Sequence, residues 1–112
     1  MSEEKTITQS IKTQMRKGVL ELCTLAIISE RDSYASDIID QLKISDLIVV
    51  EGTLYPLLTR LKNEGMLSYR WEESTSGPPR KYYQLTAEGE EALSRLKQNW
   101  KELTKAVDQI IK

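Results

Sequence analysis

Residues 51–86 constrain the fold more than any other part of this 112-residue chain. The first half of the segment places apolar residues three and four apart, which is the period of a helix, and stops at Gly65. Residues 67–71 and 81–85 alternate apolar or aromatic with polar side chains, which is the period of a half-buried strand. A polar stretch over residues 72–79, rich in glycine and proline, is the expected loop between them. The segment predicts a helix followed by a two-stranded antiparallel ribbon.

The ends of this helix carry their own signals. If Thr53 is the N-cap, Pro56 falls in the first turn, where its missing N–H costs nothing; an earlier start would remove one hydrogen bond. Gly65 suits the left-handed position after a helix and places Met66 for the apolar contact of a Schellman motif. We therefore expect a sharp stop between the helix and the first strand.

Two further helices are expected before this segment. Residues 6–29 carry an apolar stripe at spacings of three and four. Either Asp32 or Ser33 is the expected cap of a short second helix. A connector over residues 44–50 ends in a short apolar run with strand propensity. Three helices followed by a ribbon and a final helix predict an α+β fold that is mainly α.

The last helix contains an apolar seam. Thr86 is the expected N-cap of this helix. Residues 87–112 would span about 39 Å at 1.5 Å per residue, so the rest of a small domain cannot bury the whole length of the helix. Spacings of three and four alternate as in the a and d positions of a coiled coil, so we expect the seam to pair with a second copy around a two-fold axis. We therefore expect a domain over residues 1–86 and a dimerisation helix over residues 87–112, together one compact unit. The expected seam residues are Leu93, Leu96, Trp100, Leu103, Val107 and Ile110.

The composition argues against several classes of protein. A single cysteine and no histidine exclude an intrachain disulfide framework and Cys/His metal sites. Apolar runs are far shorter than the roughly 18 residues of a membrane span, and the polar N-terminus lacks the features of a secretory signal, so a cytoplasmic location without membrane partners is expected. We find no phosphate-cradling glycine loop, paired carboxylates or activated nucleophile, and predict no catalytic residue, cofactor or enzyme activity.

Basic and aromatic residues mark a candidate surface for nucleic acid. The net charge of −1 weighs against a uniformly basic protein, yet DNA meets a local face and not the sum of charges. Side chains on a helix can read base edges, and a stiff basic loop can bind phosphate. Arg80 and Lys81 follow two prolines, which favours phosphate binding by this loop over an ordinary hairpin. Taken alone, the polar residues of the helix favour a merely solvated surface. For Arg16, Lys17 and Tyr34, a solvated surface or a packing role is equally open. The candidate DNA contacts are Arg16, Lys17, Tyr34, Thr53, Tyr55, Thr59, Arg60, Arg80 and Lys81.

Trp100 has two interpretations. It is either a packing residue of the seam or, with its two-fold mate, one wall of a gap that accepts a flat aromatic ligand. Ile11, Met15 and Trp71 are the apolar neighbours expected for such a ligand.

The motifs GTLYPLLTRLKNEGML and SGPPRKYYQLT closely resemble the PadR family of bacterial transcriptional regulators. RKGVLELCTLAIISERDSYASDI resembles the first two helices of that family, and the resemblance extends over residues 15–112. It implies a winged helix-turn-helix with long N-terminal and C-terminal helices, a homodimer of the short subfamily, and repression of a promoter. It also implies that the helix around Tyr55 faces double-stranded DNA and that Arg80 and Lys81 anchor the wing. Some short members bind flat aromatic compounds between tryptophans of the dimer helix, at the position of Trp100.

We therefore expect a homodimeric repressor that binds a pseudo-palindromic operator. Release by a planar aromatic ligand stays open, as does the rival hypothesis of a winged helix used only for protein contacts. Glu72 and Glu73 depart from a basic wing and would repel phosphate if they faced it, which leaves the depth of wing insertion open.

Overall fold

A computed structural model describes residues 3–47 and 51–112. It has four helices and a small antiparallel sheet, as the sequence predicts for a winged helix-turn-helix. The expected apolar run of the connector lies mostly outside the described residues. The elements in chain order are α1 (Glu3–Glu30), β1 (Ser33–Tyr34), α2 (Ala35–Ile44), a 3-10 turn (Glu51–Thr53), α3 (Leu54–Asn63), β2 (Leu67–Ser74), β3 (Gly77–Leu85) and α4 (Ala87–Ile111).

The core lies where α1, α2 and α3 meet one face of the sheet. Leu25 and Ile28 of α1 pack there with Ile38 of α2. The apolar side of α3 is buried as predicted, which leaves its other side exposed. The buried residues of α3 are Leu54, Leu57, Leu58 and Leu61.

The predicted stop of α3 at Gly65 is confirmed, but its start is not a capped one: a 3-10 turn leads into the helix, and Thr53 has helical φ and ψ of −75° and −31°. Thr53 occupies the N-cap position, although its side chain makes no capping hydrogen bond, and Pro56 lies in the first turn. Gly65 has a φ of 84°. Its N–H donates to the Lys62 carbonyl (3.0 Å), and the Met66 N–H donates to the carbonyl oxygen three residues before the cap (2.9 Å), which is the Schellman pattern.

The predicted cap of α2 is wrong. Neither Asp32 nor Ser33 caps the helix; Tyr34 is the N-cap residue, and its N–H donates to the Asp37 carboxylate (3.2 Å). Ser33 is instead extended, because Ser33 and Tyr34 form β1 and pair with β3. The sheet therefore has three strands in the order β1-β3-β2 and not the two expected.

The predicted loop over residues 72–79 is also wrong. The wing, which we define as β2, β3 and their turn, is almost wholly strand, and only Thr75 and Ser76 separate the two strands. Glu72 pairs with Arg80 and Ser74 with Gly77, so β3 has one extra residue in between. The two prolines sit in this irregularity, where the ladder does not require their missing N–H groups. Arg80 and Lys81 therefore lie on β3 and not at a loop tip.

The seam of α4 is divided between the core of the chain and its surface. Leu93 is buried and Leu96 packs against the core. Trp100 is 47% exposed, and the three seam residues beyond it are also exposed. The N-terminal part of α1 is similar, since Ile7, Ile11 and Met15 are all exposed. Among residues 3–47 and 51–112, apolar side chains on two long helices are therefore left exposed.

The start of α4 is fixed against the end of α3. Thr86 caps α4 as predicted, since its Oγ1 accepts from the Gly89 N–H (3.0 Å). The same hydroxyl donates to the Gly65 carbonyl (2.6 Å), and the Thr86 N–H donates to the Met66 carbonyl (3.2 Å). A Cβ atom on Gly89 would overlap that Met66 carbonyl. We call this set of contacts the α3–α4 junction.

We predict that Gly89→Ala lowers the free energy of unfolding by about 1–3 kcal/mol, because the methyl group must displace backbone at the α3–α4 junction. Gly18→Ala is the matched control: Gly18 is also helical, a Cβ there meets nothing within 4 Å, and the change should stabilise the chain by about 0.5–1 kcal/mol. Urea unfolding of both variants tests the difference. Equal stabilities would contradict the close approach at Gly89.

Candidate nucleic-acid interface

The exposed side of α3 is the centre of the candidate interface. Thr53, Tyr55 and Thr59 are all exposed on it, and Tyr55 retains 52% of its accessible surface. They are held outward because the four leucines of α3 anchor the opposite side in the core. Tyr55 and Thr59 of α3, and Thr53 just before it, are therefore exposed as predicted contacts, with Thr53 at the edge nearer α1.

One edge of this face meets α1. Lys17 and Glu21 of α1 line a shallow depression with Thr53 and Arg60. The Arg60 guanidinium forms an ion pair with Glu21 and lies 3.8 Å from the Glu64 carboxylate. Arg60 is thus already shared between two carboxylates, and pairing with a base or phosphate would require it to leave them.

Arg16 is likewise held by an acidic partner. Its guanidinium lies 2.9 Å from the Asp46 carboxylate, and only 23% of its side chain is exposed. The pair joins α1 to the segment that follows α2. Neighbouring Lys17 is exposed beside Thr53, so of these two predicted contacts Lys17 is the better placed to meet phosphate.

The face of the wing that carries Tyr34, Arg70, Glu72 and Arg80 is a network of paired charges. The Tyr34 hydroxyl donates to Glu72 (3.3 Å), and the Arg80 guanidinium lies 5.4 Å from the centre of the Tyr34 ring. Arg70 donates to Asp32 (2.9 Å). Glu72 therefore faces the chain's own phenol and cations, and its charge is partly compensated there.

Tyr34 keeps its proton in this network. Partial loss of solvent contact, and then the charge and hydrogen bond of Glu72, raise the pKa of the Tyr34 phenol above its ordinary value. The ring also meets Tyr82 edge-on, with 4.3 Å between ring centres. Tyr34 is thus engaged with the wing, and we identify it as a link between the α2 N-terminus and β3.

The face of the wing that packs toward α3 has a different character. The Lys81 ammonium lies 4.6 Å from the Tyr69 ring and 5.5 Å from the Trp71 ring. Lys62, from the last turn of α3, lies 5.8 Å from the same Tyr69 ring. We call these four residues the lysine–aromatic strip.

A groove between α1 and α4 contains part of the predicted ligand site. It has a volume of about 630 Å³, and its walls include Met15, Val19, Trp100 and Val107. Ile11 and Trp71 were predicted to join them and are not among its lining residues. Trp71 is instead 61% exposed on β2, because strand pairing places it beside Lys81, away from the groove.

Two residues that shape this surface, Glu21 and Lys62, were not among the predicted DNA contacts. Glu21, which holds Arg60, lies four positions after Lys17 in α1 and so shares its helix face, a spacing that could have revealed it. Lys62 lies seven positions after Tyr55 in α3, which again indicates a shared face.

Other kinds of site have little support. No group of three acidic, cysteine or histidine side chains suited to a metal ion occurs within residues 3–47 and 51–112. None of the helices in that same portion is long and apolar enough to cross a membrane. Cys23 is half-buried against the core, and this burial raises the pKa of its thiol.

Comparison with known proteins agrees with this geometry. The sequence model of the Transcriptional regulator PadR-like family matches residues 24–95. A PadR-like transcription factor from Bacteroides fragilis is 59% identical, with 90% of this chain and 98% of that chain covered and a TM-score of 0.75. A PadR-like transcriptional regulator from Bacillus cereus is 38% identical, with 88% and 97% covered and a TM-score of 0.77.

A PadR family transcriptional regulator from Eggerthella lenta has a similar fold along almost the whole chain. It is 29% identical, covers 97% of this chain with 96% of its own, and superposes with a TM-score of 0.89. The match spans α3, the wing and both long helices. This chain therefore belongs to the PadR-like family of transcriptional regulators, whose winged helix-turn-helix binds DNA.

Proposed function

We propose that the protein is a homodimeric repressor in which two copies of α3 read successive major-groove half-sites of a pseudo-palindromic operator. The observation that carries the proposal is the exposed face of α3, bounded by a basic wing, in a chain whose α4 seam is uncovered beyond Leu96. Two α3 helices related by a two-fold axis would bind half-sites whose centres lie one helical turn of DNA apart, about 34 Å.

The residues divide into base-reading and phosphate-binding groups. Tyr55, in the first turn of α3, and Thr59, near its middle, are the proposed base contacts, with Thr53 just before the helix. Lys81 on β3 and Lys17 on α1 flank that face, while Arg80 lies on the opposite face of β3 beside Tyr34. These three residues are the proposed phosphate contacts. Arg16, Tyr34 and Arg60 already have partners in the chain, so we assign them supporting roles.

Apolar surface supports the proposed dimer. Leu103, Val107 and Ile110 are exposed at a/d spacing, and α1 exposes a similar stripe. Leaving this much apolar surface in water is unfavourable, and a symmetric helix pair would bury it. The dimer would also set the distance between the two recognition helices.

The groove beside Trp100 supports a ligand site at this interface. Its volume of about 630 Å³ is in the range of small-molecule sites, and an indole offers a flat apolar wall. A planar aromatic ligand in this groove could bind more tightly to a dimer with one separation of the two α3 helices than to a dimer with another. The ligand would then change DNA affinity by the difference between its affinities for the two dimer conformations. We propose release from DNA as the result.

DNA binding by the wing can be tested with Arg80→Gln. We use a duplex that the intact protein selects from a random-sequence pool, and measure its dissociation constant by fluorescence anisotropy at several salt concentrations. Each lost phosphate contact should reduce the slope of log affinity against log salt by about 0.9. Arg95→Gln is the control, because Arg95 is exposed on α4 and paired with Glu91. An unchanged slope for Arg80→Gln would remove Arg80 from the interface, and failure to select any duplex would contradict DNA recognition.

Glu21→Gln should strengthen DNA binding. The change removes a negative charge at the edge of α3 and frees the Arg60 guanidinium. Stability should change by no more than about 1 kcal/mol, since the pair is largely exposed. Glu91→Gln, on α4, is the matched control for charge. Weaker binding by Glu21→Gln would show that Glu21 orients Arg60 for DNA, contrary to this prediction.

Val107→Glu should convert the dimer to a monomer, because it introduces a charge into the apolar seam. Lys105→Glu introduces the same side chain away from the a and d positions of the helix and should leave the dimer intact. Light scattering after size-exclusion chromatography gives the molar mass of each variant. A dimeric Val107→Glu variant, or a monomeric parent, would refute the proposed seam.

Ligand binding can be followed by tryptophan fluorescence, because the chain has only two tryptophans. In Trp71→Phe, the emission of Trp100 should be quenched by planar aromatic dyes that stack on the indole. In Trp100→Phe, where only Trp71 emits, the same dyes should have no such effect. Flat titrations of Trp71→Phe across a panel of dyes would count against the site.

A further inference from the structure

Trp71 is a large aromatic side chain that neither the core nor the α1–α4 groove uses. It is 61% exposed on β2, and its ring meets Tyr69 edge-on, with 6.2 Å between ring centres. Trp71 also pairs across the sheet with Lys81. An exposed indole beside a lysine is a surface suited to a partner that is both anionic and partly apolar.

The strip is continuous with the recognition helix. Lys62 belongs to α3 and lies over Tyr69, and Lys81 bridges Tyr69 and Trp71. Tyr55 lies seven positions before Lys62 in α3 and so shares its side of the helix. The strip therefore extends the exposed side of α3 onto the wing.

Charge separates the two faces of the wing. Glu72 and Arg80 are paired across the strands one position along from Trp71 and Lys81, so alternation directs them to the opposite face. Glu72 is engaged there with Tyr34. The two lysines of the strip, by contrast, lie over aromatic rings, and the aromatic faces hold their ammonium groups without neutralising them.

The geometry of a winged helix identifies what would meet this strip. When a recognition helix lies in the major groove and a wing lies beside it, the sugar–phosphate strand that borders the groove passes between them. That strand offers negative phosphates to ammonium groups and deoxyribose rings to aromatic ones. The strip faces α3 and carries both kinds of group.

We infer that Trp71, together with Lys62 and Lys81, binds the DNA backbone between the recognition helix and the wing. The indole packs on deoxyribose and its Nε1–H donates to a phosphate oxygen, while the lysines neutralise neighbouring phosphates. This inference rests on the proposed function, since it requires α3 and the wing to bind one duplex. It adds a contact that depends on DNA structure and not on sequence.

The test compares two duplexes: the one selected by the intact protein and an unrelated duplex of the same length. Trp71→Ala should bind both about tenfold more weakly, since a backbone contact carries no sequence information. Trp71→Phe, which keeps a ring and loses the N–H, should fall between Trp71→Ala and the parent. Lys62→Gln should reduce the slope of log affinity against log salt by about 0.9 for each phosphate contact that is lost. The control Lys105→Gln, on α4, should leave the slope unchanged.

Fluorescence gives an independent measurement. In Trp100→Phe, where Trp71 is the remaining emitter, saturating duplex should quench or shift the emission. Thermal melting of each variant confirms that the fold is retained, which is expected because Trp71 is exposed.

The outcomes separate this inference from the proposed function. Parental affinity of Trp71→Ala together with unchanged Trp71 emission would overturn the inference. A loss confined to the selected duplex would overturn it as well, because it would identify a base contact. If Tyr55→Ala weakens binding and Trp71→Ala does not, only this inference fails; if neither the parent nor any variant binds duplex DNA, the proposed function fails.

Discussion

The α3–α4 junction is the constraint on which the rest of the structure depends. One hydroxyl, that of Thr86, both caps α4 and donates to the carbonyl of Gly65 at the end of α3. The absence of a side chain on Gly89 allows α4 to lie against the Met66 carbonyl. The end of α3 is therefore joined to the start of α4 by direct hydrogen bonds from the Thr86 hydroxyl and N–H. In the proposed dimer, the orientation of α4 would be transmitted directly to α3.

The two faces of the wing explain how a chain with a net charge of −1 can present a surface for DNA. On one face, Glu72 and Arg70 are satisfied by partners within the chain. On the other, Lys62 and Lys81 rest on aromatic rings, which leave their charges available. The net charge is a poor guide to DNA binding, because several acidic side chains form ion pairs with arginines. Lys62 and Lys81 contact aromatic rings instead.

Features that depend on a few neighbouring residues were predicted well. The buried side of α3, its Schellman stop at Gly65 and the Thr86 cap all follow from helical period and from the backbone preferences of single residues. The loop between the strands and the cap of α2 were predicted wrongly, because both depend on pairing with β3. Pairing extends β2 and β3 to a two-residue turn, and it makes Ser33 a strand residue.

By itself, the sequence determined the fold class, the order of the four helices and the two wing strands, the family, and the buried sides of α3 and α4, because periodicity and short motifs carry this information locally. Only the tertiary structure decided which candidate side chains are available. It showed that Arg16 and Arg60 are held by Asp46 and Glu21, and that Trp71 lies on the wing, away from Trp100. These are contacts between residues distant in the chain, and they depend on how the elements pack in three dimensions.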